Sequence, residues 1–72
     1  MIGDRMRQAR LSVGLTLEEV VERLGHIITK QGLSKYENNK SIPKPDFLAR
    51  LGEVLGVKTA YFLYEPRVQI KW

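Results

Sequence analysis

The chain of 72 residues is predicted to be an all-α protein, a compact five-helix bundle, and three observations carry that expectation. Apolar residues recur three and four positions apart along most of the chain, which is the period of a helix with one buried face. Gly14, Gly25 and Gly56 stand where such runs stop. Pro43, Pro45 and Pro66 punctuate the remainder, because proline cannot continue a helix.

The first helix is read from Ile2, Met6, Ala9 and Val13, with Arg5, Arg7 and Arg10 between them and Gly14 in position for a left-handed cap. Thr16-Leu17-Glu18-Glu19 is a capping box, in which the threonine hydroxyl and the Glu19 carboxylate satisfy amides that a helix start leaves open. Leu17, Val20, Val21 and Leu24 then form the stripe of a second helix, which Gly25 ends. His26, Ile27 and Ile28 make a connector and are expected to pack into it. Thr29 caps a third helix running to about Asn38, with Leu33 and Tyr36 one turn apart and facing inward. Asn38 to Pro43 is a loop, and Pro45 suits the first turn of a fourth helix carrying Phe47, Leu48, Leu51, Val54 and Leu55 inward. A short fifth helix, roughly Thr59 to Leu63, cannot extend past Pro66.

The bundle is assigned to residues 1–64. The tail 65–72 alternates polar and apolar residues (Val68, Ile70 and Trp72 on one side), which is strand periodicity. Three readings of it stay open: a frayed terminus, a dimerisation strand that pairs with another subunit, or the start of a further domain.

Size and composition exclude several function classes. One domain of this length has no room for a deep catalytic cleft, so an enzyme is not expected. There is no cysteine, hence no disulfide scaffold and no thiolate metal site, and packed apolar side chains must supply roughly 4 to 11 kcal/mol of stability. A reducing, cytoplasmic setting fits that composition. No apolar run approaches the roughly 18 residues of a membrane span, and Met1 to Arg5 lacks a signal-peptide core. His26 is the single histidine, and Glu18, Glu19 and Glu22 have no third nitrogen ligand beside them, so neither a metal nor a cofactor is expected. Ser12, Ser34 and Ser41 lack a local base and orienting acid, which leaves no catalytic residue to name.

The net charge is +4, with a calculated pI near 9.7, and its distribution matters more than its sum. From Ile28 to Lys44 four lysines (30, 35, 40 and 44) face one acid, Glu37, whereas Glu18 to Arg23 holds three acids and one base. The third helix therefore combines an apolar inward edge with an outward face of Lys30, Gln31 and Lys35. Glutamine can donate to and accept from adenine N6 and N7 at once, and lysine can donate to guanine O6 or N7, so these side chains suit base edges in a major groove. The bland alternative for the lysines, Lys35 above all, is phosphate contact.

In these features the chain resembles the helix-turn-helix family of phage repressors and Cro proteins, the XRE type. The resemblance covers about Gly3 to Leu63 and rests on Arg10, on Gly14 to Val20, on Leu24-Gly25, on Leu33-Ser34-Lys35-Tyr36-Glu37, on Pro43 and on Leu51 to Val57. It implies a lambda-repressor-like fold in which Gly25 forms the turn into a reading helix, and it implies that Arg10 and Glu37 pair to hold that helix at its angle. It also implies double-stranded DNA as partner, binding as a homodimer, and transcriptional regulation, repression being the commoner outcome. Lys30, Gln31, Gly32 and Lys35 are then the expected base contacts, and Thr16, Leu17, Thr29, Asn38, Lys40 and Lys44 the expected phosphate contacts. The amides at the Thr16 helix start suit a phosphate.

Departures from the family pattern are visible too. The segment between Gly25 and Ser34 is longer than usual, Val21 replaces a common alanine where the second and third helices cross, and Leu17 replaces a common phosphate-binding glutamine. Gly32 costs roughly 1 kcal/mol of helix propensity relative to alanine, and is read either as a close approach to DNA or as a neutral substitution. Two other functions stand beside DNA regulation: a protein-interaction module of the antitoxin kind, and the DNA-targeting part of a longer protein with a C-terminal zinc peptidase domain. An apolar dimer contact is expected near the C-terminus, at Tyr61, Phe62, Leu63 or the Val68/Ile70/Trp72 face, with core packing as the more common alternative for Tyr61 and Phe62.

Overall fold

The computed structural model describes residues 1–63, which form five helices in the order α1 (Ile2–Ser12), α2 (Leu17–Arg23), α3 (Lys30–Glu37), α4 (Pro45–Leu55) and α5 (Thr59–Leu63). No strand occurs among the described residues. The expected tail strand and the Val68/Ile70/Trp72 face lie outside them.

Local chemistry places most of these boundaries. Thr16 and Glu19 form the capping box in full: the Glu19 amide donates to Thr16 Oγ1 at 3.1 Å and the Thr16 amide donates to Glu19 Oε1 at 2.8 Å. Thr29 caps α3 by accepting from the Gly32 amide at 3.0 Å, and Pro45 opens α4. α1, α2 and α3 each close with two backbone bonds reaching back into the helix, one donated by a left-handed residue and one by the residue after it. The left-handed residue is a glycine twice, Gly14 and Gly25, and Asn39 (φ 61°) at the end of α3.

The core is continuous through the bundle. Met6 and Ala9 of α1, Val20 and Val21 of α2, Leu33 of α3, Leu48, Leu51 and Leu55 of α4 and Phe62 of α5 are buried together with Leu24. Tyr36 packs beside Phe47 with ring centroids 5.2 Å apart, so both inward residues of α3 are engaged.

One expectation is corrected here, and one choice between alternatives is decided. Val13 is not part of the α1 stripe: the helix ends at Ser12, Val13 turns out of it at φ −102° and ψ 6°, and 48% of its surface is exposed. The proposed C-terminal contact set also divides. Phe62 is wholly buried, and Tyr61 is tied to α1, where Arg5 Nε donates to its carbonyl at 2.9 Å and the guanidinium lies 4.1 Å from its ring centroid. Only Leu63 of that trio is exposed.

The sharpest packing constraint joins α1 to the end of α3. Gly3 is buried, and a Cβ at that position would run into the carbonyl oxygen of Tyr36, with Asn39 Oδ1 at 2.6 Å and the Glu37 carbonyl at 2.7 Å. The Gly3 amide uses the proximity by donating to Asn39 Oδ1 at 2.9 Å, which caps a helix start whose preceding residue, Met1, has no capping oxygen. Asn39 Nδ2 donates in turn to Asp4 Oδ1 at 3.3 Å.

Candidate nucleic-acid interface

α2, the turn after it and α3 form a helix-turn-helix whose turn is built by Gly25 (φ 76°) and His26 (φ 60°) in the left-handed region. The connector does not pack as a block: His26 and Ile27 are exposed and only Ile28 lies against the core. The left-handed residues Gly25 and His26 carry the chain outward from the end of α2, and it returns to the core at Ile28.

Ile28 also explains Gly32. A Cβ there would stand 2.9 Å from Ile28 Cγ1 and 3.3 Å from both Ile28 Cδ1 and Thr29 Oγ1, so the missing side chain makes room for the isoleucine of the long turn. Gly32 is therefore not a neutral substitution. Gly32→Ala is expected to give none of the roughly 1 kcal/mol that alanine's helix propensity offers, whereas in an Ile28→Ala background the same change is expected to stabilise by about that amount. Thermal unfolding of the two singles and the double measures the coupling.

α3 is fixed at its far end by charge. Glu37 is only 3% exposed, and its carboxylate accepts from Arg10 through two bonds, Nε at 2.7 Å and Nη2 at 2.9 Å. Arg10 Nη1 donates to the Leu15 carbonyl at 2.9 Å, so one guanidinium ties α1, α3 and the α1–α2 turn. The hydrogen bond to Glu37 raises the Arg10 pKa above the ordinary arginine range; burial opposes this, and the Glu37 charge adds to it. A raised value on a cation means that the arginine's contribution is fully present through the neutral range and is lost as pH rises through the arginine's own titration. Arg7 is a second partner absent from the sequence reading, with Nε 3.4 Å from Glu37 Oε1 and Nη2 donating to Asn38 Oδ1 at 2.9 Å.

The expected contact residues fall into separate groups. Lys30, Gln31 and Lys35 are exposed on α3, and Gln31, Lys30 and Ser34 line a shallow depression with Leu17 of α2. Leu17 itself packs partly on the core, so its side chain takes no phosphate and only its amide could. Asn38 is committed to the scaffold, since it accepts from Arg7 and donates to Ser34 Oγ at 3.3 Å. Thr29 spends an oxygen lone pair on Gly32 but keeps its hydroxyl proton. Lys40 and Lys44 are exposed on the loop after α3, with no ion pair among the described residues, as is also true of Lys35. Lys30 lies 3.8 Å from Glu18, an exposed contact that weighs little.

The amino-acid sequence matches the helix-turn-helix family profile over residues 6–62, most of the chain. The chain belongs to the helix-turn-helix family. Among relatives in Bacillus subtilis strain 168, it is 38% identical over 69 residues to the SPbeta prophage-derived uncharacterized HTH-type transcriptional regulator YonR, covering 96% of this chain and 62% of YonR. It is 34% identical over 70 residues to the HTH-type transcriptional regulator ImmR, covering 97% of this chain and 54% of ImmR. The chain thus spans less than two thirds of either relative. Among solved structures it is similar to SinR, the master regulator for biofilm formation, in complex with DNA (TM-score 0.81, 35% identity, 89% of this chain and 100% of that one). It is also similar to a chain of the SinR/SinI complex (TM-score 0.83, 33% identity, 99% of this chain and 68% of that one). Helix-turn-helix membership agrees with the all-helical fold, and no described helix is long and apolar enough to cross a membrane.

Proposed function

We propose that this chain binds double-stranded DNA sequence-specifically as a transcriptional regulator, with α3 in the major groove. The observation that carries the reading is the fate of Glu37. The one acid in the basic stretch from Ile28 to Lys44 is turned inward and neutralised by arginines, so the outward face keeps its lysines and Gln31 without an opposing carboxylate on the same helix. Such a surface is complementary to a polyanion, and the rigid tie to α1 gives it one orientation. The likeness to a SinR chain solved with DNA supports the same reading.

In this reading Gln31 is the main base contact and Lys30 and Lys35 assist it, while Lys40, Lys44 and the Thr29 hydroxyl grip phosphates. At the start of α2 the capping box already uses the Thr16 and Glu19 amides, so Leu17 and Glu18 supply the remaining ones. A single helix offers only a few base contacts, each worth about 1 to 3 kcal/mol of discrimination, so two chains act together on half-sites about 34 Å apart. The bound pair would repress by blocking polymerase.

Selection from a random duplex pool at near-physiological salt tests this, with enrichment of a two-fold symmetric site as the expected result. Failure to enrich any sequence would refute base reading. With the site in hand, Gln31→Ala is expected to relax base preference by about 1 to 3 kcal/mol at one position, with the salt dependence unchanged. Lys40→Ala is expected to weaken all sequences alike and to lower the salt slope by about 1. Equal effects of the two on specificity would refute this division of labour.

A further inference from the structure

We infer that Leu17 is a specificity-determining residue which, with Gln31, receives the 5-methyl group of a thymine. The inference rests on the proposal that α3 reads the major groove, and it deepens that proposal by naming a base.

Leu17 opens α2 and reaches the same depression as Lys30, Gln31 and Ser34, the outward residues of the first turns of α3. It is the one wholly apolar side chain lining that depression. It is also held in place: the capping box fixes the turn it stands on, and its inner side packs against the core. The fold thus sets where this leucine stands on the wall of the depression.

These surroundings decide what the depression can accept. The Gln31 amide can turn either its oxygen or its nitrogen outward, so on its own it can satisfy more than one base edge. Leu17 removes that ambiguity on one side, because a cytosine amino group or a water molecule against it would lose a hydrogen-bond partner. The thymine methyl is the apolar feature of the major-groove edge, and contact with an apolar side chain is how it is read. The lysines at 30 and 35 bring the polyanion to this face, and the leucine selects within it.

The test uses the full 72-residue chain and the duplex recovered by selection, with each thymine replaced singly by deoxyuridine, a change that removes only the methyl. Binding is followed by fluorescence anisotropy for the native protein, Leu17→Ala and Leu17→Met, with thermal unfolding confirming that each is folded. At one thymine per half-site the native protein is expected to lose about fourfold in affinity, the factor that burying a single methyl group supplies. Leu17→Ala is expected to bind the two duplexes equally, and Leu17→Met to retain most of the preference. Uniform tolerance of uridine by the native protein, or undiminished discrimination by Leu17→Ala, would overturn the inference. If that happened while Gln31→Ala still relaxed base preference, the methyl contact alone would fall; a pool with no enriched site would overturn both it and the function it rests on.

Discussion

Replacing Arg10 with alanine is expected to cost about 3 to 5 kcal/mol, because it strands a carboxylate that has almost no access to water. That is a large part of the roughly 4 to 11 kcal/mol available to a domain of this length, so the variant sits near its unfolding threshold at physiological temperature. Arg7 does not rescue it. Its side chain is half exposed and makes one long contact with the carboxylate, 3.4 Å, where Arg10 makes two short ones. Arg10→Lys is expected to recover only part of the loss, since an ammonium cannot reproduce the two-point contact or reach Leu15 with a third donor. Converting both partners, Arg10→Met with Glu37→Leu, removes the stranded charge and is expected to restore most of the stability. Urea unfolding of the three variants separates these outcomes. A loss below about 1 kcal/mol for Arg10→Ala would mean that the pair behaves like an exposed one.

Gly3→Ala is expected to destabilise by about 1 to 3 kcal/mol, although alanine inside a helix ordinarily gains roughly 0.5 to 1 over glycine. The sign reverses because two of the three atoms in the way are main-chain carbonyl oxygens, at Tyr36 and Glu37, and the third is held by the Gly3 amide itself. None can rotate aside, so α1 and α3 must separate. That movement pulls at the helix that carries Gln31, and binding to a selected site is expected to weaken along with the thermal midpoint. An unchanged or raised midpoint would show that the two helices have slack between them.

Much of the fold was legible because it is locally encoded. Thr16-Leu17-Glu18-Glu19, Thr29 and Pro45 each place a helix start within a residue of where it stands, and Gly14, Gly25 and Gly56 mark stops. The Arg10–Glu37 pair was legible only through the family resemblance, as nothing local links residues so far apart. Val13 and Ile27 were misjudged for a shared reason: apolar type predicts burial inside an element, but at helix ends and turns the chain direction decides, and it points these two outward. Gly3 and Asn39 were missed because their role is a contact between segments. A faint signal existed in each. Gly3 is a glycine in a helix with no turn to make, and Asn39 is a non-glycine residue able to take a left-handed cap.

The sides of α3 carry different duties, with Leu33, Tyr36 and Glu37 turned inward and Lys30, Gln31 and Lys35 outward. Changes on the outward side fall where substitutions ordinarily alter stability by less than about 0.5 kcal/mol. If that side reads DNA as proposed, a lineage of such chains can therefore try new operator preferences one replacement at a time without passing through an unfolded ancestor. Glu37 has no such liberty: it and Arg10 form a lock that must be exchanged as a pair, so diversification in this architecture runs along the exposed half of one short helix.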